Sequence, residues 1–124
     1  MFTRLLPALF ASGSASIFRT YNICDKLTKH NIDTKSWREA YNILDVNEAS
    51  LYKKVTLRII KDSSSHEEKI KCINSLINII MEIRKKCEND NKHCYSFLSD
   101  IDKFSSLKQR LSYITLYNKA LLMS

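Results

Sequence analysis

Glycine and proline are almost missing. The chain has one of each, Gly13 and Pro7, and from Asn22 to Ser124 it has neither. Tight hairpin turns and phosphate-wrapping loops rely on glycine to reach positive φ without a steric penalty. A strand meander, a dinucleotide-binding unit and a phosphate loop are therefore poor readings of residues 22–124. Cysteine is sparse and irregular: Cys24, Cys72, Cys87 and Cys94 form no CxxC pair. That pattern suits free thiols packed between helices better than a disulfide frame. Cys87, His93 and Cys94 lie close in sequence, but zinc needs a fourth ligand and usually paired spacing. No metal and no cofactor are expected.

What the chain does have is positive charge and apolar periodicity. Its 124 residues suit one domain. Twenty Lys and Arg against thirteen Asp and Glu give a formal charge of +7, which favours anionic partners: nucleic acid, anionic lipid or acidic protein surfaces.

Residues 1–21 contain Arg4 and Arg19, no acid, several Ser, Thr and Ala, and apolar Phe2, Leu5, Leu6, Leu9 and Phe10 at helical spacing. This is the composition of a mitochondrial transit peptide. Arg19-Thr20-Tyr21 resembles a presequence cleavage site, and the first acid, Asp25, marks the change of composition. A secretory signal is disfavoured by Ser12-Gly13-Ser14 and the second arginine. A membrane span needs about 20 apolar residues, more than this segment offers. A retained membrane-surface helix stays open. The expected address is the mitochondrial matrix or the matrix face of the inner membrane.

Residues 22–124 read as one helical domain. Ser36 and Glu39 have capping-box spacing, with Trp37, Ala40, Tyr41 and Leu44 inward and a stop at Asp45 to Asn47. A second helix is expected from about Glu48 to Lys61, burying Leu51, Tyr52, Val55 and Ile59. Asp62-Ser63-Ser64-Ser65 is the clearest loop, with Ser64 and Glu67 capping the next helix. That third helix, about His66 to Lys86, has a polar face of Glu67, Lys71, Asn74, Asn78, Glu82 and Lys85. Its opposite face carries Ile70, Ile73, Leu76, Ile77, Ile80 and Ile83. Residues 88–91 should break it. C-terminal helices are expected over about 92–122, with Ser105-Ser106 as either a separator or a kink. The expected fold is all-α: a small bundle of four to five helices containing an antiparallel helical hairpin.

Three segments, in order, resemble a J domain, the helical module that docks on heat-shock-seventy chaperones. Tyr41-Asn42-Ile43-Leu44-Asp45-Val46 is similar to the first-helix pattern Y-x-I-L-G-V. Residues 51–62 align without a gap on the second-helix pattern A-Y-R-K-L-A-L-K-Y-H-P-D. Lys69-Ile70-Lys71-Cys72-Ile73-Asn74 resembles the third-helix pattern K-F-K-E-I-N. The string from Glu39 to Val46 also resembles the J and J-like subunits of the mitochondrial presequence import motor. The resemblance covers about residues 37–83. It implies that Lys53, Lys54 and Arg58 meet an acidic chaperone surface. The His-Pro-Asp trigger of ATP hydrolysis is replaced by Ile60-Lys61-Asp62, so the trigger should be absent. The stretch between Val46 and the second helix is also short, and the tail beyond Arg84 falls outside the pattern. Leu51-Tyr52-Lys53 is similar to the Leu-Tyr-Arg start of small mitochondrial assembly factors, but its third residue and mid-chain position differ.

Catalysis is not expected. His30, His66 and His93 sit at helix edges among polar neighbours, and no acid–base constellation emerges from spacing. Glu67-Glu68 suits a helix first turn. RNA contact through Arg84-Lys85-Lys86, Lys103, Lys108 and Arg110 is disfavoured because acids are interspersed among them. The functional expectation is a non-catalytic mitochondrial adaptor with a degenerate J-like domain, working by protein–protein contact near an import motor or matrix chaperone. The alternative is a structural accessory subunit of a respiratory complex or the mitochondrial ribosome. No small-molecule substrate is expected, and peripheral membrane contact stays open.

Overall fold

The computed structural model describes residues 23–86 and 92–123. The expected leader and the expected break at residues 88–91 lie outside the described residues. Among those described there are six helices and no strand. They are α1 (residues 23–29), α2 (Thr34–Ile43), α3 (Val46–Lys61), α4 (His66–Lys86), α5 (Lys92–Lys103) and α6 (Leu107–Met123). The all-α bundle holds, with more helices than the four to five expected.

The extra helix is α1. Its apolar residues, Ile23, Cys24 and Leu27, fill less than two turns, too little for periodicity to register, yet all are buried. Its end shows how the chain manages without glycine. Asn31 takes the left-handed conformation at φ 59°, which asparagine tolerates better than most residues. The Asn31 N–H reaches the Thr28 carbonyl at 3.0 Å and the Ile32 N–H reaches the Leu27 carbonyl at 2.9 Å. This is a Schellman closure, completed by burial of both Leu27 and Ile32.

Helix starts are set by side-chain oxygens, not always those expected. The N-cap of α2 lies three residues before Ser36: Asp33 takes that position and accepts from the Lys35 N–H, while the Ser36 hydroxyl donates to Asp33. At α3, Asp45 and Glu48 form a reciprocal capping box. At α4 the pair is Ser65 and Glu68, one position beyond the expected Ser64 and Glu67. Ser64 is instead drawn to Asp62. Ser105-Ser106 separates two helices rather than kinking one. The Ser106 hydroxyl accepts from the Gln109 N–H, and the Gln109 side chain accepts back from the Ser106 N–H.

The short α2 packs against both α4 and α3, but the most extensive contacts run between α3 and α5 and between α4 and α6. Under α2 lies a compact knot. Trp37 is fully buried, its ring 4.8 Å from that of Tyr52. The Trp37 indole N–H donates to the Thr56 hydroxyl at 3.0 Å. Thr56 donates to the Tyr52 carbonyl, and the Tyr52 hydroxyl donates to the Trp37 carbonyl at 3.1 Å. Every polar atom of this knot is bonded, as its burial demands. Above it α4 contributes Ile73, Leu76, Ile77, Ile79, Ile80 and Ile83, and α5 adds Phe97, Leu98 and Ile101.

Candidate functional site

Lys53 and Lys54 lie in the middle of α3 and Arg58 in its last turn, and the structure splits them. Lys53 leans over the Tyr41 ring, 5.6 Å from its centre. Lys54 and Arg58, one helical turn apart, converge on Asp102 near the end of α5. Lys54 Nζ sits 3.2 Å from one Asp102 oxygen and Arg58 Nη1 sits 2.9 Å from the other. The Arg58 guanidinium also donates to the Asp102 carbonyl and, at 3.2 Å, to the Phe104 carbonyl. Arg58 therefore neutralises the negative C-terminal end of α5, while Lys54 keeps 62% of its side chain in solvent. Burial alone would raise the Asp102 pKa, but Arg58 and Lys54 outweigh it and hold the carboxyl below its ordinary value.

Behind this pair Arg110 of α6 is almost fully buried. Its guanidinium donates to the Phe104 carbonyl at 2.6 Å and to the Ile101 carbonyl at 3.4 Å. Two guanidinium groups thus hold the last carbonyls of one helix. Burial, then the neighbouring Arg58, lowers the Arg110 pKa, opposed by Asp62, Cys72 and Asp102. A buried cation needs such partners to be tolerated.

Asp62 completes the cluster. It serves as a brace. One carboxylate oxygen accepts from the Ser64 N–H at 3.0 Å and from its hydroxyl. The other accepts from the Leu107 N–H at 2.9 Å, an otherwise orphaned first-turn donor of α6. The Ser64 hydroxyl chiefly, with the Leu107 and Ser64 N–H groups and Arg110, holds this carboxyl below the usual range against the effect of burial. Neighbouring Cys72 is fully buried, and burial pushes its thiol up to about 12, so it is no nucleophile.

No family model matches this chain. No curated protein and no solved structure matches it either.

Three further features lie outside the brace. His30 and His66 stack with ring centres 5.0 Å apart and Nδ1 atoms at 3.0 Å. Glu48 is buried, and its Oε2 has no hydrogen-bond partner. Burial, then Asp45, raises its pKa against the pull of the Asp45 N–H, Arg84 and the Tyr95 N–H. On the outside, Phe104, Lys108, Gln109, Ser112, Tyr113 and Leu116 line an open, mainly apolar groove of about 420 Å³. Among the described residues no three His, Cys, Asp or Glu side chains group as metal ligands, and no helix is long and apolar enough to cross a membrane. Of the suggested metal trio only the Cys94 side chain is described, and it is buried.

Sequence reasoning placed the α3 cations correctly on one helix but did not join Asp102 to them, and it weighed Arg110 only as a disfavoured RNA contact, whereas the structure buries it. A Lys and an Arg one turn apart signal a shared anion. Nothing in the spacing says that the anion is 44 residues downstream.

Proposed function

We propose that this chain is a non-catalytic mitochondrial helical adaptor that works by protein–protein contact, carrying a degenerate J-like module over residues 37–83 next to an import motor or matrix chaperone. The single observation that carries the reading is the junction of α3 and α4. Ile60-Lys61-Asp62 closes α3, the short α2 packs on both helices of that hairpin, and Asp62 is turned inward to hold α6. A loop anchored in this way suits a docking module without a trigger. Lys54 pairs with Asp102 but keeps most of its side chain in solvent, and half-exposed Lys53 lies over Tyr41, with Arg58 committed to Asp102.

The test is capture from mitochondrial lysate, read with an ATPase assay. The chain should recover a heat-shock-seventy chaperone or translocase subunits, and Lys53→Glu with Lys54→Glu should abolish that recovery. The purified protein should leave chaperone ATP hydrolysis at its basal rate; a clear acceleration refutes the loop assignment. The second reading, an accessory subunit of a large mitochondrial assembly, is favoured by the cross-packing of α3 on α5 and α4 on α6, which makes a braced scaffold beyond a simple hairpin. Comigration with a megadalton complex, without chaperone recovery, selects it.

A further inference from the structure

The last helix is unlike the others in charge and exposure. From Lys103 to Ser124 the sequence has no aspartate or glutamate. The nearest acids are engaged: Asp102 by Arg58 and Lys54, and Asp100 by the Tyr113 hydroxyl at 2.8 Å and by Lys103. Beyond Ile114 the inner side of the helix, Tyr117 and Leu121, still packs against the core, while Leu116, Leu122 and Met123 are 66%, 69% and 87% exposed. The 3.6-residue period sets Leu116, Ala120 and Met123 in one band that continues the apolar groove at Phe104 and Tyr113. Lys108 and Lys119 flank that band, and both are exposed. The end of α4 adds cations near the C-terminal end of α6. Lys86 donates to the Leu121 carbonyl, which sets the end of α4, with the neighbouring exposed Lys85, near the tip of α6.

We propose that this apolar band and its flanking lysines form a docking surface for an anionic lipid bilayer, on which α6 lies in the headgroup layer. Charge complementarity selects the occupant. A second copy would bring lysine against lysine with no acid on either helix to relieve it. A bilayer supplies phosphates for Lys85, Lys108 and Lys119, whose long stems keep the charge at headgroup level while the apolar band sinks. The tip also exposes Leu122 on a different side from Leu116, and a deformable hydrocarbon boundary accommodates such a knob better than a single groove. This goes beyond the adaptor reading, because it fixes where the adaptor works: on a membrane face, with the α3 lysines left for the protein partner.

The experiment is cosedimentation of the full chain with phosphatidylcholine vesicles with and without cardiolipin. Binding should require cardiolipin and weaken as salt rises. Lys85→Gln, Lys108→Gln and Lys119→Gln should each weaken it by about fivefold. Leu116→Asp with Met123→Asp should abolish it while the helical circular dichroism stays unchanged. These comparisons also separate α6 from the cationic leader, which every variant retains. Equal binding by wild type and the α6 variants overturns the proposal, as does equal binding to neutral vesicles. So does retention of the wild type in the supernatant, including the case in which the α6 variants lose a captured acidic protein. None of these results touches chaperone recovery through Lys53 and Lys54, so the two readings fail separately.

Discussion

Replacing Asp62 by asparagine tests whether this residue braces the fold. In the native protein one oxygen accepts two bonds from Ser64 and the other accepts the Leu107 N–H at 2.9 Å. Asparagine has a single acceptor oxygen, so its amide must turn N–H groups toward donors on one side or the other. If the oxygen stays with Ser64, α6 loses the bond to its first N–H, a loss comparable to removing an N-cap, about 1 kcal/mol. The lost charge also removes a Coulombic attraction to buried Arg110, about 0.5–2 kcal/mol. The sum, about 1.5–3 kcal/mol, corresponds to roughly 6–20 °C in midpoint for a domain of this size. Urea unfolding followed by circular dichroism reads it directly. The pH dependence gives an internal check. The Asp62 carboxyl is held below its ordinary value, so its contribution is full above about pH 4 and is lost as pH falls through the folded value. The gap between wild type and Asp62→Asn should be widest near neutrality and close in acid. A variant within about 0.3 kcal/mol of wild type at neutral pH, inside the ordinary scatter of surface substitutions, would refute the brace.

Two more outcomes are expected from the buried polar groups. Trp37→Phe removes the indole donor to Thr56 and part of a fully buried ring; a loss of about 1.5–3 kcal/mol is expected in the same urea assay, because a cavity and a broken bond add. Glu48→Gln keeps the capping box, since an amide oxygen can still accept from the Asp45 N–H. The folded pKa of Glu48 is raised by burial, so its destabilising effect appears as pH climbs from the carboxylate range towards the folded value. The glutamine variant should therefore gain on wild type between acid and neutral pH in thermal scans, and a constant difference would contradict the assignment.

The helices themselves were legible because their apolar positions repeat over many turns. The six isoleucines and leucines of α4 announced its buried side, and five of them are buried, with Ile70 half-covered. Boundaries slipped by one to three residues at α2 and α4 because Ser, Asp and Asn crowd every junction. Which oxygen caps is decided by the turn that brings it to an N–H, not by its type. Helix α1 was illegible for lack of length. Partner choice between helices was also hidden: a wide apolar face on α4 says that several neighbours are needed, but not that α6 is the main one. The brace shows the same limit. The Lys54–Arg58 spacing was visible, whereas Asp102 and Arg110 join it only after two further helices have folded back.

All three described thiols, Cys24, Cys72 and Cys94, are sealed inside the bundle. Burial pushes the Cys72 thiol up to about 12, with Asp62 and Arg110 beside it. An alkylating reagent can reach that sulfur only when α4 parts from the guanidinium and carboxylate groups that close over it. The rate at which Cys72 takes up label is thus a native stopwatch for the opening of the joint between the hairpin and the C-terminal helices, requiring no introduced dye.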